Sequence, residues 1–279
     1  MLLKNHPLTD LIPLIDWSFF FAAWEVKGRY PDIFDHPAKG KQAKALFDDA
    51  QQMLDDIVRH QWLQANAIAV IYPANSRADD ILLFADDSRA DILLTLPQLR
   101  NQELHKDGSP NLCLSDFIAP EGTNDYIAAF ALTTGVGLAA LANRFRTDND
   151  DYRAIMAKAL ADRLAEAFAE YIHREVALLM GADGHDAGIR PAFGYPACPD
   201  HSAKRDIFDV MNVEQYTGIA LTENYMMTPE TSVSGLIITN PAATYFSVGK
   251  IDEEQLQDYA RRKKMPVAQL RRLLANNLL

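Results

Sequence analysis

Between Arg190 and His201 the chain reads Arg-Pro-Ala-Phe-Gly-Tyr-Pro-Ala-Cys-Pro-Asp-His. Pro191, Pro196 and Pro199 each fix their own φ and bias the preceding residue toward extended geometry, so the amides and carbonyls of this stretch are held in set directions. Gly194 opens torsions closed to other residues and lets a ligand approach the backbone. Arg190 carries a planar fork suited to a carboxylate. A rigid surface turn with its arginine in a salt bridge is the alternative reading of the same residues. Cys198 and His201 have the types of a metal pair, or of a nucleophile and its base. Pro199 lies between them and no further ligands are close in sequence, which disfavours a zinc site.

Carboxylates supply two other places for chemistry. Asp162, Glu166 and Glu170 recur at successive fourth positions, with Arg163 and His173 beside them. Like charges at that spacing disfavour a helix slightly unless a cation or donor compensates, and a solvated face is the default reading. Asp16 stands among Ile15, Trp17, Phe19, Phe20 and Phe21, where burial without a partner is expensive. It either takes donors from its own backbone or awaits a ligand.

The elements that must position these residues are legible from periodicity. From Asp150 to Met180 the residues Tyr152, Met156, Leu160, Leu164, Phe168, Ile172, Val176 and Met180 recur every fourth position. This predicts one long helix with an apolar stripe, capped by Asp148 or Asn149 and ended by Gly181. Gly40 to Trp62 predicts a second amphipathic helix. Short runs at Ala67–Tyr72, Ile81–Ala85, Ile92–Leu96, Tyr126–Leu132, Val233–Thr239 and Thr244–Val248 predict strands, with turns at Asn75-Ser76-Arg77 and Asp86-Asp87-Ser88. Links this short favour antiparallel hairpins. Further helical patterns lie at Leu138–Phe145, Asp206–Met211 and twice near the C-terminus, where Pro266 opens the last. No repeat or Gly/Ser linker divides the chain, so the expectation is one α+β domain spanning 1–279, with a twisted, mainly antiparallel sheet flanked by long helices.

The 279 residues carry 27 basic against 38 acidic side chains, a net charge of −11. That balance disfavours a polyanionic partner such as nucleic acid and is easier to reconcile with a cationic small molecule or a basic partner patch. Cys113 and Cys198 fit no disulfide or zinc-ribbon framework. The N-terminal residues lack the pattern of a signal peptide, and the longest greasy stretch, Leu14–Trp24, is too short to span a bilayer. A cytoplasmic setting without membrane association is expected.

The loop Arg190–His201 resembles the signature loop of the C-terminal activation domain of cobalamin-dependent methionine synthase. The likeness continues through Ile15-Asp16-Trp17 to Gly28-Arg29-Tyr30-Pro31, Tyr72-Pro73-Ala74-Asn75, Cys113–Pro120, Ala161–Glu170, Ser232-Val233-Ser234-Gly235 and Asp258–Lys263. These ordered blocks cover nearly the whole chain. The resemblance implies a domain that binds S-adenosylmethionine and presents its methyl group to the cobalt of cobalamin. Cobalamin is then carried by a partner methionine synthase chain or a related corrinoid protein, and flavodoxin or a similar donor supplies one electron. By resemblance, Asp16 receives the ligand's α-amino group and Arg190 its carboxylate. Ala192, Gly194 and Tyr195 lie against the nucleoside, Glu166 lies near the ligand, and Tyr245 and Phe246 close the site. Asp162 and His201 are candidates for the corrinoid-facing surface. No residue is implied as covalent catalyst or metal ligand.

The chain departs from the family's usual multidomain enzyme. The Asp-x-His-x-x-Gly cobalamin pattern is absent at His105 and His185, and Asp35-His36 is too close-set. The segment Gly181–Ile189 is shorter than the family's usual insertion. The expectation is a methyl-transfer component, in trans or as a fragment, that cannot complete a methionine synthase cycle alone. The alternative is a non-catalytic S-adenosylmethionine sensor or a stabilising partner module.

Overall fold

The computed structural model describes residues 1–104, 106, 108–182 and 188–279. His105, His185 and the middle of the Gly181–Ile189 connection lie outside them. In chain order the elements are β1 (Leu2–His6), α1 (Leu8–Leu11), α2 (Trp17–Ala23), α3 (Gly40–His60), β2 (Gln64–Arg77), β3 (Asp80–Phe84), β4 (Ile92–Pro97) and β5 (Tyr126–Val136). There follow α4 (Leu138–Thr147), α5 (Asp151–Leu179), α6 (Ala203–Met211), α7 (Val213–Thr217), β6 (Ala220–Leu221), β7 (Met227–Thr228), β8 (Ser232–Ile237), α8 (Glu253–Lys263) and α9 (Val267–Leu273).

The main sheet has the order β4-β3-β2-β5-β8, with β1 added beside β2, and every pairing is antiparallel. β2 runs well beyond the expected Ala67–Tyr72 because it changes partners, pairing β1 near its start and β3 through Ala74–Arg77. Asn75-Ser76-Arg77, expected as a turn, therefore sits in the ladder. The Asn75 amide donates to the carbonyls of Ala119, Pro120 and Thr123, which holds a turn-type residue in an extended strand. The reversal falls at Ala78, whose φ is +51°.

β5 is apolar at every position from Ile127 to Leu132 because both of its faces are covered. Ala128, Phe130 and Leu132 join the core under α5, whereas Ile127, Ala129 and Ala131 join a second core with Ile207, Phe208 and Phe193. A third cluster forms around Leu256, Tyr259 and Leu270 of the C-terminal helices.

α5 is the long helix expected, and Leu160, Leu164, Phe168, Ile172 and Val176 are buried along it. Its stripe starts one turn later than the spacing suggests: Tyr152 is exposed and its hydroxyl donates to Asp49. Asp150, and not Asp148 or Asn149, caps the helix by accepting the Arg153 N–H at 2.9 Å. Asn149 instead takes a left-handed φ of +56° that turns the chain out of α4.

Thr244–Val248 is not a strand. The edge of β8 that it would need is already taken by residues 189–193, as described below. Trimming Phe168 to alanine leaves a void between α5 and the sheet. We expect a loss of about 3–5 kcal/mol, read as a lower urea midpoint with an unchanged denaturant slope.

Candidate functional site

The proline-rich loop is anchored as an extra strand. Ile189 and Ile238 exchange backbone hydrogen bonds at 2.9 and 3.0 Å, Leu236 N–H donates to Pro191 O at 3.0 Å, and Phe193 N–H donates to Ser234 O at 3.1 Å. Proline has no N–H to give, so Pro191 joins this pairing through its carbonyl alone. Gly235 makes the approach possible: a Cβ there would sit 2.3 Å from Pro191 O. Beyond Phe193 the loop turns back, with Gly194 N–H donating to Cys198 O and Cys198 N–H to Tyr195 O.

Anchored this way, the loop brings Arg190 against α5. Its Nη1 donates to Ala169 O at 2.9 Å and to Glu170 Oε2 at 3.3 Å, while Arg174 Nε donates to Glu170 Oε1 at 2.8 Å. Burial alone would raise the Glu170 carboxyl, but Arg174 and Arg190 hold it below its ordinary value. Among the described residues, Arg190 Nη2 and Nε have no protein partner. The Arg190 N–H donates to the Tyr245 hydroxyl at 2.9 Å, and Val248 N–H donates to Pro196 O. These bonds tie the 244–248 segment to the loop.

Between them lies a cavity of about 290 Å³ lined by Glu166, Arg190, Pro191, Ala192, Tyr195, Pro196, Ala197, Val233, Tyr245 and Phe246. Six of the residues singled out in the sequence thus meet in one place. A larger cavity of about 780 Å³, between Gly135–Ala140 and Gln215–Gly218, shares no lining residue with it. The smaller one is lined by a guanidinium and a carboxylate among aromatic and small apolar walls.

Asp16 and Gly194 are not in that lining. Asp16 is exposed at the N-terminus of α2, where its Oδ1 accepts from the N–H groups of Ser18 and Phe19 at 2.8 and 3.4 Å. Trp17, Phe20 and Phe21 point inward, whereas Phe19 and the Asp16 carboxylate are exposed, so the expected burial cost does not arise. Its Oδ2 has no protein partner among the described residues. α2 packs on α5 and the Phe19 ring lies 5.9 Å from the Arg163 guanidinium. Arg163, Glu166 and Glu170 share one helix face over about 10 Å, so the Asp16 turn and Arg190 flank the same stripe of α5.

Gly194, at φ +91°, lies against His201: a Cβ there would fall 2.1 Å from the ring. His201 does not bond to Asp162 or to Cys198. Its Nδ1 meets Lys204 Nζ at 2.5 Å, and Lys204, 2% exposed, also donates to Tyr225 O. Burial pushes the Lys204 ammonium down to about 8, and burial together with Lys204 lowers the imidazole. The Cys198 thiol is buried and pushed up to about 12, which removes it as a nucleophile. On α5 the Asp162 carboxyl is raised, by desolvation first and then by Glu166 and Glu230. The clamp at Ala169 and Glu170 and the Lys204 contact were not evident from sequence, although Glu170 lies one turn after Glu166 and Lys204 three residues after His201.

Gly194→Ala combines an unfavourable φ with a clash on the imidazole. A loss of about 1–3 kcal/mol is expected, measured by urea unfolding, with the His201 ring resonances displaced. Lys204 is charged in both states below pH about 8 and carries its full burial penalty there. Between about 8 and 10.5 the unfolded chain binds the extra proton, so this group's contribution to stability rises with pH. The melting-temperature difference of Lys204→Met over the parent should therefore shrink from about pH 7 to about pH 10.

Residues 7–264 match the family model described as the vitamin B12 dependent methionine synthase, activation domain. The chain is also similar to a solved structure described as the MetH reactivation domain bound to AdoHcy, at 41% sequence identity and a TM-score of 0.95. That match covers 100% of this chain and 90% of the other. The match runs through both walls of the cavity, α5 and the proline-stiffened loop, and through the strand that anchors the loop. The chain belongs to the family of vitamin B12-dependent methionine synthase activation domains.

Proposed function

We propose that this chain binds S-adenosylmethionine across the face of α5 and presents its methyl group to a cobalamin carried by another module or chain, reactivating cobalamin that has oxidised to the cob(II) form. The observation that carries this reading is the guanidinium edge of Arg190, which has no protein partner among the described residues, on a cavity with aromatic and apolar walls. Family membership supports it, as does AdoHcy in the similar reactivation domain, since AdoHcy is what S-adenosylmethionine becomes on giving up its methyl group.

The amino-acid end of the ligand is a zwitterion. Arg190 offers two parallel N–H donors to its carboxylate, and Asp16 Oδ2 offers an acceptor to its ammonium. The backbone of Ala192 and Tyr195, with Tyr245 and Phe246, forms the apolar bed for the nucleoside, and Gly194 shapes the turn beneath it. Glu166 supplies an acceptor beside the ligand. Asp162 and His201 lie on the side toward the corrinoid. In the transfer, an electron from flavodoxin or a similar donor gives cob(I)alamin, whose cobalt takes the methyl carbon while the C–S pair leaves on sulfur. The chain's own residues need to align the donor and exclude water, and no side chain is required as acid or base. No described helix is long and apolar enough to cross a membrane.

Calorimetry with S-adenosylmethionine tests the site. Removing one charge-assisted partner costs about 1.5–3 kcal/mol, so Arg190→Ala should weaken binding by roughly tenfold or more. Asp16→Asn should also weaken it. Asparagine still caps the helix through Oδ1, so this loss should come without a drop in melting temperature. For the transfer, the chain is mixed with a cobalamin-carrying methionine synthase fragment, a reductant and methyl-labelled S-adenosylmethionine. Labelled methylcobalamin is expected, and binding without any label would point to a sensor.

A further inference from the structure

We propose that Glu170 is a positioning residue for the carboxylate end of the ligand, a role that rests on the reading of the site given above. Arg190 is long and flexible, and an unrestrained guanidinium would have to be ordered when the ligand binds. Two acceptors on α5 restrain it beforehand. The Ala169 carbonyl and Glu170 Oε2 both take Nη1, at 2.9 and 3.3 Å, and two acceptors on one nitrogen fix the plane of the fork. The opposite edge, Nη2 with Nε, is thereby turned away from the helix. Among the described residues that edge meets no protein acceptor, and Arg190 lines the cavity.

A carboxylate next to a carboxylate-binding arginine has an opposing effect, since its charge competes with the ligand for the guanidinium. Arg174 offsets this: its Nε donates to Glu170 Oε1 at 2.8 Å, so the anion reaches Arg190 as half of an ion pair. The same bond holds Glu170 in place, and both residues sit on the rigid helix whose opposite face is buried in the core. Glu170 thus acts on the ligand through Arg190 and discriminates for ligands with a free α-carboxylate. A nucleoside sulfonium that lacks this group gains nothing from the arrangement.

The test compares S-adenosylmethionine with its decarboxylated analogue by calorimetry on the parent chain, Glu170→Ala and Glu170→Gln. Glu170→Ala should bind S-adenosylmethionine roughly fivefold or more weakly and bind the decarboxylated analogue as the parent does. Glu170→Gln, which keeps an acceptor oxygen, should recover most of the affinity. If Glu170→Ala lacks a cooperative melt, Glu170→Asp replaces it, because the shorter side chain draws the acceptor back from Nη1. Unchanged or tighter binding of S-adenosylmethionine would overturn the proposal, as would an equal loss for both ligands. A parent chain that binds neither ligand would instead overturn the functional reading itself, and this proposal with it.

Discussion

The site depends on one backbone interaction, the pairing of residues 189–193 with the outer edge of β8. An edge strand has a row of unsatisfied amides and carbonyls, and a loop that supplies partners at the right spacing is held as firmly as a strand. Here the partners are the Ile189 N–H and carbonyl, the Pro191 carbonyl and the Phe193 N–H. Pro191 joins the ladder through its carbonyl alone, since it has no N–H to return to Leu236. Gly235 across from it has no side chain to hold the two backbones apart. This register fixes where Arg190 leaves the sheet, and hence that it reaches Ala169 and Glu170 on α5.

α5 provides the other half. One face carries the apolar stripe that fills the core against β5, and the outer face carries Arg163, Glu166 and Glu170. The core therefore sets the rotation of the helix, and that rotation decides which charged residues look toward the loop. α2 adds Asp16 at the far end of the same stripe through its packing on α5 and the Phe19–Arg163 contact. Asp16 divides its carboxylate between two tasks: one oxygen completes the helix terminus and the other faces outward. Capping satisfies a helix amide that would otherwise need water, so the same residue supports the fold and remains chemically available.

Much of this was legible in the sequence because it follows from local periodicity. The fourfold spacing of Met156 to Val176 gives α5, and the apolar runs give the strands of the main sheet. Six of the candidate residues, from Glu166 to Phe246, were found together in one cavity. What could not be read depends on contacts distant along the chain. Asn75 looks like a turn residue until three carbonyls from 119–123 hold it extended. Thr244–Val248 has strand composition but no free edge to join. Lys204 has the pattern of an ordinary helix residue, and only the fold reveals that its ammonium is buried against His201. The split of Asp16 between cap and outward oxygen is likewise invisible in a string of aromatic neighbours.

The coverage of the β8 edge also limits how a guest can come and go. For the backbone at Arg190 to move outward, residues 189–193 would have to peel off, leaving bare backbone on a sheet edge that would itself invite a stray strand. Such an opening would be costly and hazardous. The backbone frame of the cavity is therefore in place before any guest arrives, with the exposed Tyr245 on its wall.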